Sequence, residues 1–239
     1  PLEDFEKNPF FRGRILFPFN DRIPDARYEF NGQPHQLPVN SDDGSAIHGL
    51  IYGMPLCENG TNVTPLSASV DLLASLRDTD SSGYPFEVDL AIRYTLQNGS
   101  FSMDFAVSNK GDGPAPYALG WHPYFATGNS GRFTADYSSY VEVDDDLMPT
   151  GNVPLVDSTQ YNFSTGRQLK DMEVDLGFKI NGGRSVLDLE SHKIVIEQDE
   201  KFFPYAQLFI PPDKKSIAIE PITAATNAFN IPKLGLRVL

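Results

Sequence analysis

Strict alternation of apolar and polar residues is clearest between residues 86 and 107. Apolar side chains stand at every second position from Phe86 to Leu96, and such alternation predicts a β-strand with one buried face. Asn98-Gly99 follows, a pair that suits a two-residue turn with two positive φ angles. The alternation then resumes from Phe101 to Val107. A hairpin around this turn places four apolar pairs on one face: Leu96 with Phe101, Tyr94 with Met103, Ile92 with Phe105, and Leu90 with Val107.

Shorter segments with strand character follow one another along the rest of the chain. Nineteen Gly and nineteen Pro punctuate the sequence throughout, a spacing typical of short strands rather than long helices. Only the segment from Leu66 to Leu76 suggests a turn or two of helix. The further predicted strands are Arg14–Phe17, Arg27–Phe30 (before a second turn at Asn31-Gly32), Val63–Val70, Pro116–Leu119, Arg132–Tyr137, Val141–Val143, Ser185–Leu189, Lys193–Glu197, Tyr205–Ile210 and Ile217–Glu220.

This pattern predicts an all-β fold, an antiparallel β-sandwich or barrel with little helix. No long linker, repeat or low-complexity tract divides the 239 residues. We therefore expect a single domain over residues 1–239, which is a length that one all-β domain can fill.

Composition and charge narrow the function classes. The chain has 32 acidic against 19 basic residues, a net charge of −13, which argues against a nucleic-acid partner. A single cysteine, Cys57, excludes an intrachain disulfide and a cysteine-based zinc site. No apolar run reaches the roughly 18 residues of a membrane span, and no signal peptide is visible, so the cytoplasm is the default location unless a leader was trimmed. The 17 Phe and 10 Tyr favour a partner that is neutral and ring-shaped, such as a sugar.

Candidate chemistry lies in two histidines and one carboxylate. His122 stands in Trp121-His122-Pro123-Tyr124-Phe125, where aromatic faces would stack on a sugar or pack in the core. His48 precedes a glycine and is as consistent with a structural as with a functional role. Glu220 ends an apolar run and is either an edge charge or a base in a partly dry pocket, where its pKa would rise.

Other polar features favour plain structural roles. His35 and His192 stand in polar, turn-like contexts and are expected at the surface. The acidic triplet Asp144–Asp146 is interpreted as a solvated turn, although it could ligate a hard cation. The Asn-x-Ser/Thr triplets, at Asn59, Asn62, Asn98 and Asn162, are expected by chance in a turn-rich chain.

Four segments, taken in their order, closely resemble the aldose 1-epimerase (galactose mutarotase-like) family. The most specific is Trp121-His122-Pro123-Tyr124-Phe125, and the resemblance extends from about Phe11 to Asn230. The others are the run from Asn8 to Ile23, Ala46-Ile47-His48-Gly49, and Ala218-Ile219-Glu220-Pro221.

The resemblance implies a large β-sandwich, often called a supersandwich, and an isomerase that interconverts the α and β anomers of a free aldose without a cofactor. It implies a monosaccharide as substrate and leaves the oligomeric state unknown. The implied site residues are Glu220 as general base, His122 as general acid, His48 as a second histidine assisting at the ring oxygen and in sugar binding, and Arg22 and Asp175 as sugar ligands. From the aromatic residues beside His122, we expect Trp121 and Tyr124 to bind the sugar by stacking.

The sequence departs from the family pattern in two places. Asp21 stands where the family usually has Asn, and its carboxylate could pair with Arg22 and change the sugar contacts. The strands that usually precede the Arg12-Gly13-Arg14 region are missing, which predicts an incomplete sandwich or a compact variant. The segments Tyr205–Phe209 and Glu220–Thr223 resemble a bacterial subgroup of the family.

Two alternatives remain open from the sequence. A non-catalytic carbohydrate-binding sandwich would use the same aromatic residues without an acid and a base. A mutarotase for phosphorylated hexoses would need convergent cations, for which Arg12, Arg14 and Arg22 are candidates, although the charge of −13 disfavours capture of a dianion.

Overall fold

The structure, a computed structural model, describes residue 8 and residues 10–77, 83–127 and 130–239. Pro9, within the Asn8–Ile23 run, lies outside them. Helical segments among the described residues are short 3₁₀ turns, at Pro24–Ala26, Ile51–Gly53, Leu169–Asp171 and Pro232–Leu234. In these described parts of the chain, no helix is long and apolar enough to cross a membrane.

Nineteen β-strands make up the rest of the regular structure that is described. They are β1 (Ile15–Leu16), β2 (Arg22–Ile23), β3 (Arg27–Phe30), β4 (Gln33–Gln36), β5 (Ala46–Ile47), β6 (Cys57–Val63), β7 (Ser67–Leu76), β8 (Val88–Gln97), β9 (Ser100–Asn109), β10 (Pro116–Tyr117), β11 (Gly120–Trp121), β12 (Tyr124–Ala126), β13 (Arg132–Tyr140), β14 (Arg167–Gln168), β15 (Asp175–Asp188), β16 (Lys193–Glu197), β17 (Tyr205–Phe209), β18 (Ser216–Ile222) and β19 (Arg237–Val238).

The strands form one large and one medium antiparallel sheet with three small two-stranded additions. The nine-stranded sheet runs in the order β1-β11-β18-β17-β15-β13-β14, with β12 also pairing β18 and β16 pairing β15. The four-stranded sheet runs β6-β7-β8-β9, and the additions are β2-β5, β3-β4 and β10-β19. The predicted all-β, antiparallel sandwich class is confirmed.

The β8–β9 hairpin has the register that the alternation predicts. All four apolar pairs, from Leu96 opposite Phe101 to Leu90 opposite Val107, are Cα partners. Asn98 and Gly99 both have positive φ angles, 39° and 77°. Local turn chemistry and periodicity act on adjacent residues here, so the sequence is enough to set the register.

Two apolar cores pack on the two faces of the nine-stranded sheet. On β18, Ile217 and Ile219 belong to the core that contains Phe133 and Phe178, whereas Ile222 belongs to the core that contains Leu90 and Ile92 of the four-stranded sheet. Glu220 therefore shares a face with Ala218 and Ile222, opposite to Ile219, as strand alternation predicts. This face carries the candidate site.

Three expectations about local structure were wrong. The predicted strand Val63–Val70 is interrupted, because β6 ends at Val63 and β7 begins at Ser67. The suspected helical stretch Leu66–Leu76 is strand β7 over Ser67–Leu76, because it pairs on both sides with β6 and β8, and this pairing overrides a weak helical periodicity. Val141–Val143 is not a strand: Val143 makes a single bridge to Pro149. The acidic triplet after it is a turn in which the Asp144 carboxylate accepts from the backbone N–H groups of Asp146 and Met148.

Candidate active site

A cleft of about 440 Å³ opens over the face of the nine-stranded sheet that carries Glu220, a size that suits a small molecule. Residues of the nine-stranded sheet form its floor. The N-terminal segment, strands β2 and β5 and the residues next to these two strands form its wall. The floor consists of Tyr124, Asp175, Gln207, Phe209 and Glu220; the wall includes Phe10, Phe11, Asp21, Arg22, Asn40, Ser41, Asp42, Ile47 and His48, and His122 lies between them.

The register of the sheet places the floor residues on one face. Glu220 is the Cα partner of Gln207, and Asp175 is the partner of Phe209 one strand further on. On the other side of β18, Tyr124 pairs with Ala218. Directly opposed residues in antiparallel strands project to the same side, so residues that are far apart in sequence meet in one cleft.

Glu220 and His122 form the centre of the cleft. The Nδ1 atom of His122 lies 3.4 Å from Oε1 of Glu220, and both side chains are almost fully buried. Backbone hydrogen bonds fix the His122 peptide: its N–H donates to Arg14 O, and its carbonyl accepts from Gly13 N–H. Because the ring of Tyr124 stacks on the imidazole with centroids 5.0 Å apart, His122 has little freedom to turn away from Glu220.

Burial makes charge unfavourable on both partners. It raises the pKa of Glu220 well above its ordinary value, and the nearby carboxylates of Asp21 and Asp175 add to this effect. Burial, followed by the proximity of His48, lowers the pKa of His122 well below its ordinary value. Both shifts favour the uncharged forms, a carboxylic acid and a neutral imidazole, which together hold one transferable proton.

His48 stands beside His122, with ring centroids 5.0 Å apart. Burial and the Arg22 guanidinium lower its pKa to about 3, which keeps this imidazole neutral. The Phe11 ring packs edge-on against it at 4.6 Å. Its Nδ1 atom is buried and has no hydrogen-bond partner among the described residues, so its capacity for a hydrogen bond is unused there.

The glycine after His48 is required by close backbone packing. Gly49 has a φ of +83°, and a Cβ there would lie 2.3 Å from the backbone oxygen of Phe17. Residue 48 is itself held with a positive φ of 64°, while its N–H donates to the carbonyl of Asp21. The His-Gly pair thus lets the chain turn tightly beneath the cleft wall.

Arg22 lies in the wall, held by two carboxylates. Its Nη1 atom is 3.5 Å from Asp21 Oδ1, and its Nε donates to Asp43 Oδ2 at 3.2 Å. The suspected pairing of Asp21 with Arg22 is thus present. The hydroxyl of Thr226 and the backbone N–H of Arg22 also donate to the Asp21 carboxylate.

Asp175 reaches the same cleft from β15. Burial raises its pKa to about 6, and the Asp21 carboxylate acts in the same direction. Gln207 donates through Nε2 to Asp175 Oδ1 at 3.0 Å, while its own Oε1 is buried and unpartnered among the described residues. Asp175 and Gln207 thus form a hydrogen-bonded pair among the residues that line the cleft.

Trp121 is the predicted site residue that the structure does not bring to the cleft. It packs against the core between the sheets, and its ring approaches Phe101 of the β8–β9 hairpin at 6.0 Å. Strand β11 ends at Trp121, and the next residue, His122, lines the cleft whereas Trp121 does not. Phe125 packs on the opposite face, against the second core.

The aromatic lining of the cleft comes mostly from residues that the sequence reading missed. Phe10 and Phe11 approach from the N-terminal segment, and Phe209 comes from β17. Gln207 was missed as well, although a signal existed: it is a lone polar residue inside the buried strand Tyr205–Phe209. Asn40, Ser41 and Asp42 carry no such signal, because polar loop residues are common.

A metal site is not evident in the described parts of the chain. There, no group of three or more His, Cys, Asp or Glu side chains is arranged to hold a metal ion. The three carboxylates of the turn at Asp144–Asp146 form no such group.

Comparison with known proteins identifies relatives of this architecture. The family model for aldose 1-epimerase matches residues 1–232. The uncharacterized protein YihR of Escherichia coli is 29% identical over 233 residues, which cover 91% of this chain and 71% of that protein. Human galactose mutarotase is 26% identical over 188 residues, covering 74% of this chain and 52% of that protein. The chain thus spans about half the length of the human relative.

Solved structures show the same fold. A galactose mutarotase-like protein from Clostridium acetobutylicum superposes with a TM-score of 0.88 at 20% identity, covering 99% of this chain and 78% of that one. At this level of identity, the likeness supports the fold of the sandwich.

Proposed function

Because the chain belongs to the aldose 1-epimerase family, we propose that its cleft interconverts the α and β anomers of a free aldose. The observation that carries the proposal is the approach of His122 to Glu220, 3.4 Å apart and buried together over the floor of a cleft of sugar-binding size. A general acid next to a general base is what opening of a hemiacetal ring needs.

The proposed reaction moves two protons and breaks one bond. The Glu220 carboxylate removes the proton of the anomeric hydroxyl, the C1–O bond to the ring oxygen breaks, and the imidazolium of His122 protonates that oxygen. The open-chain aldehyde rotates about C1–C2. Reclosure on the other face runs the same transfers backwards, so that Glu220 and His122 regain their starting states.

The uncharged forms that burial favours are compatible with this scheme. A carboxylic acid beside an imidazole holds the same number of protons as a carboxylate beside an imidazolium. One proton transfer between groups 3.4 Å apart therefore produces the reactive form. Hydroxyl groups of a bound sugar would stabilise this form, because they replace the water that burial has removed.

The remaining cleft residues would bind and orient the sugar. We propose that His48, with its free Nδ1, assists at the ring oxygen and that Arg22 and Asp175 hold hydroxyl groups. Tyr124 is the one predicted stacking residue that lines the cleft. Trp121 is left out of this proposal, because it packs away from the cleft.

Polarimetry of a freshly dissolved pure anomer tests the proposal. Glu220→Gln keeps the shape of the side chain and removes the base, and we expect the rate to fall about 10²–10⁴-fold. Glu197→Gln is the matched control, since Glu197 lies on β16 with 75% of its side chain exposed; it should keep the wild-type rate. The pair is wrongly assigned if Glu220→Gln and His122→Ala both retain full activity.

A comparison of galactose, glucose and glucose 6-phosphate separates this proposal from its alternatives. A non-catalytic carbohydrate-binding protein would bind a sugar and leave its rate of anomerisation unchanged. A preference for the phosphorylated hexose would favour the second alternative. Against it stands the engagement of Arg22 by Asp21 and Asp43, which leaves less positive charge for a phosphate group.

A further inference from the structure

We propose that Asp21 is a positioning residue whose buried carboxylate sets the pH range in which Glu220 and His122 hold the single proton that ring opening needs. The inference rests on the proposed function and deepens it. It concerns the position at which this sequence departs from the family resemblance, Asp in place of Asn.

The first support is the place of Asp21 in the cleft. Its side chain lines the same cleft as Glu220, His122 and Asp175, and the residue is only 7% exposed. A charge at such a position is poorly screened by water, so it acts strongly on its neighbours.

The second support is that the carboxylate is held in place. Thr226 donates its hydroxyl to Oδ2, and the backbone N–H of Arg22 donates to Oδ1 at 2.8 Å. Thr226 is itself buried, and residue 21 adopts a positive φ of 57°. Because its partners are fixed, the carboxylate cannot swing out to solvent and its field on the cleft is constant.

The third support is the direction of the field. The negative charge of Asp21 favours the protonated forms of its neighbours, so it raises the pKa of Glu220 and of Asp175. It also raises the pKa of His122, opposing part of the lowering caused by burial. An Asn side chain at position 21 has one acceptor oxygen, enough for either Thr226 or the backbone N–H of Arg22, and it would lose this effect.

The other charges around the pair do not duplicate this role. His48 and Arg12 lower the pKa of His122, and Asp175 raises that of Glu220. Arg22 lowers the pKa of Asp175 and of His48, and Tyr124 stacks on His122 as a neutral ring. Within the described parts of the chain, Asp21 is the carboxylate that raises the pKa of both members of the pair.

The test is the pH dependence of kcat/KM for wild type, Asp21→Asn and Asp43→Asn. Both variants remove one carboxylate from Arg22, but Asp43 lies at the rim with 44% of its side chain exposed. We expect Asp21→Asn to move both limbs of the profile to lower pH by about one unit. Asp43→Asn should leave the limbs in place. Unmoved limbs in Asp21→Asn, or equal movement in both variants, would overturn the inference.

Two further measurements keep the test decisive. Carbon NMR titration of the Asp175 and Glu220 carboxyl groups needs no turnover, and both midpoints should fall in Asp21→Asn. Should that variant fail to fold, Thr226→Val removes a hydrogen-bond donor that offsets part of the negative charge of the carboxylate. The limbs should then move slightly to higher pH, and a shift to lower pH would contradict the inference. A wild-type protein that accelerates no anomerisation refutes the proposed function instead, while the NMR titration still decides the role of Asp21.

Discussion

The pKa values of carboxyl groups on the four-stranded sheet and in the cleft are shifted in opposite directions. On the outer face of that sheet, Arg93 donates two hydrogen bonds to Asp71, at 2.6 and 2.8 Å, and these lower the pKa of the carboxyl group. In the cleft, burial raises the pKa of Asp175 to about 6. An aspartate therefore releases its proton more readily on the sheet and holds it more tightly in the cleft.

The difference shows that the surroundings, rather than the residue types, make a site. Arg and Asp pair in both regions: Arg93 with Asp71 on the sheet, and Arg22 with Asp21 in the cleft wall. Water solvates the first pair and screens its charges, so they have little effect on the proton affinity of other groups. The second pair lies among buried groups, where one charge changes the proton affinity of several neighbours.

The largest expected effect tests backbone packing in the two regions. Gly49→Ala should destabilise the protein by about 4 kcal/mol, because it combines a positive φ with a clash against the Phe17 backbone. Gly99→Ala, in the hairpin turn with a φ of +77° and open space around its Cβ position, should cost about 1–2 kcal/mol. Urea unfolding measures both, and equal costs would contradict the close packing beneath His48.

The next effect tests the opposite pKa shifts. The folded state holds the Asp175 proton more tightly than the unfolded chain, so wild-type stability falls as the pH rises from about 4 to about 6. Asp175→Asn cannot ionise and should be more stable than wild type by up to about 3 kcal/mol above this window, with little difference below it.

Asp71→Asn is the counterpart on the sheet. Since the folded-state pKa of Asp71 is lowered, its contribution to stability is present at neutral pH and lost on acidification. The variant should therefore be slightly less stable than wild type at pH 7. Unfolding curves at pH 4 and pH 7.5 compare the two variants, and a shared sign at pH 7.5 would contradict the contrast between the regions.

The smallest expected effect tests whether Trp121 contributes to the cleft or only to the core. Tyr124→Ala removes a ring from the cleft and the stacking partner of His122, and we expect kcat/KM to fall about tenfold, the scale of one aromatic contact. Trp121→Phe should keep kcat/KM within about twofold and lower stability instead, because Trp121 packs against the core and Phe101. Steady-state polarimetry measures kcat/KM for both variants. A larger loss of kcat/KM in Trp121→Phe than in Tyr124→Ala would show that Trp121 belongs to the site.

The sequence by itself determined the features that depend on neighbouring residues. The hairpin register follows from alternation and from the Asn98-Gly99 turn, and the facing of Glu220 follows from its place after Ile219 on one strand. The alternation indicated the all-β class, and the spacing of Gly and Pro agreed with it. Glu220, His122 and His48 were candidates from their sequence contexts, Arg22 and Asp175 from the family resemblance, and the structure brings these five to one cleft.

Only the tertiary structure decided what those residues meet. The pairing of β17 with β18 places Gln207 beside Glu220, and a loop from the N-terminal segment adds Phe10 and Phe11. The tertiary structure also decided that the aromatic lining of the cleft does not include Trp121. It likewise decided that Asp21, a departure from the family pattern in the sequence, is a buried carboxylate. The physical reason is that burial and electrostatic coupling depend on distances in space, which residues far apart in sequence acquire only when strands pair and pack.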